Sequence, residues 1–139
     1  MYVLDTNVVS ELRRARPHGA VVAWLQSVPA AQLHIAAVTL AEIQKGIEIT
    51  RERDPIRARE IEAWADKVER SFAILPADAG IFRLQARFMH KRPDALYEDA
   101  LIAATAQMTG MTVATRNVSD LASFGVPLFD PFGFRPLQD

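Results

Sequence analysis

The sequence predicts an α/β fold: a single domain with a central, mostly parallel sheet of about four to five short strands flanked by about seven helices. Three observations carry that expectation. Short β-prone runs (Tyr2-Val3-Leu4, Leu33-His34-Ile35, Thr112-Val113-Ala114-Thr115) alternate with longer stretches of helical periodicity. The run from Ala100 to Ala106 is apolar nearly all round, as in a helix buried between neighbours. No repeat, linker or low-complexity segment divides the 139 residues, so one domain over 1–139 is expected.

The elements follow in order. Tyr2-Val3-Leu4 forms a first strand, central because it begins the chain and is tied down. Asp5-Thr6-Asn7 ends it with capping residues, and Val8, Val9 and Leu12 follow at helical spacing. Pro17-His18-Gly19 breaks that helix. Val21, Val22, Trp24 and Leu25 form a second, closed by Pro29, before the strand at Leu33-His34-Ile35. Thr39 is expected to open a third helix with Leu40, Ile43 and Ile47 on one face. Asp54-Pro55 opens a fourth, with proline at the first helical position, where its missing N–H costs least, and Ile61, Trp64, Ala65, Val68 and Phe72 as its stripe. Ala73-Ile74-Leu75-Pro76 reads as a short strand. Asp78 opens a fifth helix with Ile81, Leu84 and Phe88 inward. A sixth runs from Leu96 to Met108 and ends at Gly110. After the strand at Thr112–Thr115, Asn117 caps a last short helix through Leu121. Val126-Pro127-Leu128-Phe129 suits an edge strand, where proline is tolerated.

Composition narrows the function. Sixteen Lys and Arg face seventeen Asp and Glu, for a formal charge of −1, which argues against nucleic-acid binding by bulk positive charge. The absence of cysteine excludes a disulfide scaffold, a thiolate zinc site and a cysteine nucleophile, and fits a reducing cytoplasm. The chain reaches Asp5 without a basic region or apolar core of signal-peptide length. The apolar stretch from Ile35 to Ala41 falls far short of the roughly 20 residues that span a bilayer. A cytoplasmic protein with no membrane role is expected.

Four acids occupy suggestive positions. In a parallel sheet, strand ends and helix starts share one edge, where functional groups collect. Asp5 closes the first strand, Glu42 falls in the expected first turn of the third helix, Asp99 enters the apolar sixth helix, and Asp120 lies three residues after Asn117. Each also has a plain reading. Asp5 can cap the first helix, and Thr39-Leu40-Ala41-Glu42 matches a capping box. Asn117-Val118-Ser119-Asp120 is a weaker version, and helix dipoles favour acids in first turns. Asp99 resists that reading, because a carboxylate entering an apolar helix needs a partner or a cation. Glu98 could be the inward acid instead, though periodicity places Asp99 nearer the Ile102–Ala103–Ala106 face. Converged carboxylates repel, so one is neutralised unless a cation intervenes. Mg²⁺ takes one or two carboxylates while keeping waters, and such a site suits phosphoryl hydrolysis without histidine or cysteine.

Four blocks together, Val3-Leu4-Asp5-Thr6-Asn7, Val38-Thr39-Leu40-Ala41-Glu42-Ile43 with Gly46, Asp99 through Ala106, and Val113-Ala114-Thr115-Arg116-Asn117, run in order over nearly the whole chain. With the terminal Phe129-Asp130-Pro131-Phe132, this set resembles the PIN-domain family, and within it the VapC-type toxin ribonucleases of bacterial toxin–antitoxin pairs. The resemblance implies an endoribonuclease dependent on Mg²⁺ or Mn²⁺, with Asp5, Glu42 and Asp99 as its principal acids and metal ligands. The fourth site residue is open: some members carry an acid directly after Thr-Arg, where this chain has Asn117, and Asp120 can supply the charge instead. Thr6 and Thr115 match polar positions that orient a carboxylate or contact phosphate. The resemblance also implies an RNA substrate, a cognate antitoxin, a homodimer and a higher toxin–antitoxin assembly.

Arg13, Arg14 and Arg16, close to Asp5 in sequence, are candidates for guiding RNA, and Arg116 for contacting phosphate or pairing with an acid. Arg83, Arg87 and Lys91, spaced by four, read as a solvated face or a phosphate ridge. His18, His34 and His90 have no metal-type spacing. Trp24 and Trp64 lie on apolar helical faces and read as core, with a helix-packing interface as the alternative for Trp64. The fourth and fifth helices are expected to extend beyond the sheet as a hairpin, and the resemblance implies an exposed apolar groove there for homodimerisation and antitoxin binding. Two rivals stand beside the nuclease. A phosphatase wants a second aspartate where Asn7 stands, and a receiver domain wants an acid pair and a late lysine that are not evident. A PIN-fold protein with another nucleic-acid or phosphoryl substrate, or a metal-free interaction module, is the remaining alternative.

Overall fold

The computed structural model describes residues 1–137; the last two residues of the expected domain lie outside the described residues. Five strands form one parallel sheet in the order β3-β2-β1-β4-β5. They are β1 (Tyr2–Leu4), β2 (Leu33–Ala36), β3 (Ala73–Leu75), β4 (Thr112–Ala114) and β5 (Leu128–Phe129). Seven α-helices connect them among the described residues: α1 (Thr6–Glu11), α2 (Gly19–Ser27), α3 (Ala37–Arg51), α4 (Pro55–Ser71), α5 (Ala79–Met89), α6 (Tyr97–Thr109) and α7 (Val118–Ala122).

β1 is central, as expected, and its register sets the two cores. Tyr2 lies between Leu33 and Thr112, and Val3 between His34 and Val113. Side chains alternate across a strand, so neighbouring residues enter opposite layers. Leu4, Leu33, Ile35 and Ala114 pack with α1 to α4. Val3, Ala36 and Val113 pack with α6, α7 and Phe124. Both faces are covered, which is why the strands read as apolar runs rather than as alternations. Ala100 to Ala106 are all buried, as the sequence predicts. Small side chains let α6 lie close to the sheet on one side while Leu101 and Ala104 meet Ile81 and Leu84 of α5 on the other. No helix among the described residues is long and apolar enough to cross a membrane.

Several expectations change. Thr39 does not open α3: the helix starts at Ala37, its N-cap Ala36 makes no side-chain bond, and Thr39 is fully buried in the first turn. The chain leaves β2 directly into helix, so no capping segment intervenes. The expected α4–α5 hairpin is also absent, because β3 stands between the two. α4 instead packs on α3, tied by Gln44 Nε2 to Glu62 (2.8 Å) and Arg51 to Glu62 (3.1 Å). α5 packs on α6, where a Cβ on Gly80 would stand 3.2 Å from Met108 Cε. Lys91 leaves the line of Arg83 and Arg87, since α5 ends at Met89 and Lys91 takes a left-handed φ of 63°.

An apolar groove forms instead between α2 and the C-terminal ends of α1 and α4. A cavity of about 400 Å³ is lined by Leu12, Val22, Leu25, Val28, Leu33 and Phe72. Leu12 and Trp64 continue it toward a cleft bounded by Thr6, Ser10, Arg13 and Glu42. Trp64, half-buried, packs against the core on one side and lines the groove on the other, whereas Trp24 is core, 2% exposed.

A candidate active site at the carboxyl edge of the sheet

The strand order fixes where a site can form. From β1 the chain steps to β2 and β3 on one side, then returns to β4 and β5 on the other. The reversal opens a crevice beyond the carboxyl ends of β1 and β4. Asp5 follows β1, Thr115 follows β4, α3 leaves β2, and α6 begins beside them.

Asp5 is 4% exposed and fully engaged. Its Oδ1 accepts the Thr6 backbone N–H (2.8 Å), and its Oδ2 accepts from the Thr115 hydroxyl (2.7 Å) and Asn7 Nδ2 (3.3 Å). It is thus both the cap of α1 and a tie between the ends of β1 and β4. Burial raises its pKa, and the bonds from Thr115, Thr6 and Asn7 oppose that shift. Asn7 also accepts the Arg116 backbone N–H (3.2 Å), and Thr115 Oγ1 accepts the Asn117 N–H (2.9 Å). The two strand ends are therefore latched side chain to backbone.

Glu42 stands in the second turn of α3, not the first, and makes no capping box. The Thr6 hydroxyl donates to its Oε1 (2.9 Å). Burial pushes its pKa up to about 7, with repulsion from Asp5, Glu98 and Asp99 adding to the shift. Asp99, half-buried in the first turn of α6, is raised to about 6 by burial and by Asp5, Asp120 and Glu98. The three principal acids are thus electrostatically coupled at one edge. Asp120 is exposed in the first turn of α7 and joins them through its field on Asp99. Asn117 holds the N-cap position of α7, but its side chain makes no capping bond.

Glu98 belongs to the group as well, which sequence periodicity had set aside. In a helix every Cα–Cβ bond tilts toward the N-terminus. Two adjacent acids in a first turn therefore both bring charge to that end, and the Glu-Asp pair was the signal. Sequence reasoning also missed Glu11, 6% exposed, whose Oε1 accepts the His18 backbone N–H (2.9 Å). Its Oε2 pairs with Arg14 (3.4 Å), so Glu11 moors the loop carrying Arg13, Arg14 and Arg16. Burial raises the Glu11 pKa and is outweighed by the His18 N–H and Arg14, leaving it below its ordinary value. Arg14 is spent partly on that mooring, Arg13 borders the cleft with Glu42, and Arg116 stands at the rim beside Asn7.

Among the described residues, no three His, Asp or Glu side chains are arranged tightly enough to enclose a metal ion. Mg²⁺ and Mn²⁺ do not require such a cage, since Mg²⁺ uses one or two carboxylates and keeps its waters. Carboxyl groups whose pKa values are raised by burial, and further by one another's charge, are the donor set that a hydrated hard cation relieves, so these residues fit one.

The comparisons agree with this architecture. Toxin FitB of Neisseria gonorrhoeae is 32% identical over 95% of this chain and 99% of its own. VapC ribonuclease Y4jK of Sinorhizobium fredii is 32% identical over 95% of this chain and 98% of its own. The crystal structure of FitAcB from Neisseria gonorrhoeae superposes with a TM-score of 0.78 at 31% identity, covering 96% of this chain and all of that one. The DNA-bound VapBC structure from Salmonella typhimurium, at 19% identity and a TM-score of 0.75, shares the fold. The PIN domain model matches residues 2–122, from the first strand through the last helix, and the chain belongs to the PIN domain family.

Proposed function

We propose that this chain is the toxin of a type II toxin–antitoxin pair: an endoribonuclease, dependent on Mg²⁺ or Mn²⁺, that hydrolyses RNA phosphodiester bonds with an activated water. The observation that carries the reading is the coupling of Asp5, Glu42 and Asp99 at the sheet edge, with pKa values near 7 and 6 for the latter two. Relatives similar over nearly their whole length carry the names toxin and VapC ribonuclease.

The cation would be held by Asp5 and Asp99, directly or through water, with Glu42 completing the set. When bound, such an ion polarises a phosphoryl oxygen and acidifies a water. The chain's own residues do the rest. Thr115, Asn7 and Thr6 fix the Asp5 carboxylate in one orientation. Thr6 holds Glu42 Oε1, which leaves Oε2 to orient the attacking water. Asp120 or Asn117 serves as the fourth site residue, the first by charge on Asp99 and the second as a neutral amide. Glu98 adds charge to the same end of α6.

The groove from the Leu12–Phe72 cavity to Arg13 and Glu42 suits an apolar antitoxin segment that ends over the acids. The working form is a homodimer, within a larger antitoxin-bound assembly, in the cytoplasm. Sequencing RNA ends after expression of the protein tests the reading. Recurrent new ends are expected that vanish with Asp5→Ala. Identical ends in both samples would contradict it.

A further inference from the structure

Arg116 is an exposed cation with an unusual mounting. Its backbone N–H is held by Asn7 Oδ1 (3.2 Å), and the Asn7 amide in turn reaches Asp5 Oδ2 (3.3 Å). Its guanidinium carbon stands 4.7 Å from the centre of the Phe132 ring, a residue sixteen positions later in the C-terminal 3-10 turn Pro131–Gly133. That turn is fixed independently: Asp130 Oδ1 accepts the Phe132 N–H (2.9 Å), and the Phe132 ring meets His18 edge-on at 5.1 Å. Among the described residues Arg116 pairs with no acid, although acids crowd the adjacent crevice. A guanidinium seated over an aromatic ring keeps N–H donors that the ring does not engage, free for a ligand. A cation with donors unspent, one residue from the Thr115 hydroxyl that bonds Asp5, is set for an anion arriving at that carboxylate.

Resting on the nuclease reading above, we propose that Phe132 is a positioning residue that seats Arg116 to grip a phosphate of the RNA beside the bond to be cut. Phe132 touches no reacting atom. It presents the guanidinium already desolvated on one face and confined in direction, so less freedom is lost when substrate binds. The grip is a ground-state contact to the backbone, so its loss falls on KM more than on kcat.

The test uses the full chain and an RNA oligonucleotide spanning a cleavage site defined by the end-sequencing experiment. Arg116→Gln is expected to raise KM roughly tenfold, the size of one charge-assisted hydrogen bond, with kcat changed less. Phe132→Leu keeps the apolar packing and loses the ring; it is expected to raise KM roughly threefold, with Phe132→Tyr restoring it. Binding to a cleavage-dead Asp99→Asn background is expected to lose about 0.7 from its log–log salt slope when Arg116→Gln is added. In the Arg116→Gln background, Phe132→Leu is expected to add nothing, because its effect runs through Arg116. A Phe132→Leu protein with wild-type KM, or equal Phe132→Leu effects in both backgrounds, overturns the proposal alone. A wild-type protein that cuts no RNA overturns the nuclease reading and this one with it.

Discussion

Thr6 and Thr115 show how much of the site depends on single hydroxyls. Each donates to one acid of the cluster: Thr6 to Glu42 at 2.9 Å and Thr115 to Asp5 at 2.7 Å. They hold negative charge at a density that the fold itself resists. Free carboxyls of Glu42 and Asp99 titrate near 4.5 and 3.8, whereas the folded protein holds them to about 7 and 6. Between those values the native state binds more protons than the unfolded chain, so stability falls as pH rises through that window. Above about pH 7 the full penalty is present. In cation-free protein at pH 8, Glu42→Gln and Asp99→Asn are each expected to stabilise by about 1 kcal/mol, after discounting for solvent screening of half-exposed groups. Thermal melts should then show a gain of roughly 2–6 °C that shrinks to nothing near pH 4. A loss of stability at pH 8 would mean that burial and mutual repulsion do not strain these carboxylates.

At the scale of elements, side-chain caps separate what the sequence shows from what it hides. Asp54 and Asp78 were legible as helix starts and do cap, accepting from the Arg57 N–H (3.1 Å) and the Ile81 N–H (2.9 Å). Asn117 and Thr39 carry the same local signal and make no such bond. The difference is tertiary. Thr39 is buried at the β2–α3 junction, beside Thr6, and the Asn117 N–H, which a capping box would give to Asp120, goes to Thr115 instead. Asp78→Ala is expected to cost about 1 kcal/mol, read as a lower urea midpoint at unchanged slope, and Asn117→Ala less than half that. Equal losses would show that cap geometry does not decide the matter. Helix pairing was illegible for a related reason. Amphipathic stripes say that α4 and α5 each bury a face, but β3 between them sends one to α3 and the other to α6. Only the strand order, which no local pattern encodes, settles that.

For the whole molecule, the sequence carried the parallel sheet, the central first strand and the meeting of Asp5, Glu42 and Asp99, because strand-to-helix junctions in a parallel sheet share one edge. It did not carry Glu98, Glu11 or the Phe132 seat of Arg116. Those depend on helix-end geometry and on where a C-terminal turn lands, both of which follow from packing across long sequence separations. The formal charge of −1 also takes on a different meaning. Setting aside Asp5, Glu42, Asp99 and Asp120 leaves thirteen acids against sixteen bases, so the balance combines an acidic crevice with a mildly basic remainder. Such a balance works against indiscriminate, charge-driven binding of nucleic acid. The most direct test is the rate at which purified protein cuts RNA with added Mg²⁺ or Mn²⁺, with chelator, and as folded Asp99→Asn. Cleavage is expected only with the cation, with a fall of at least about a hundredfold in Asp99→Asn. Cleavage undiminished by the chelator, or retained in the folded variant, would contradict it.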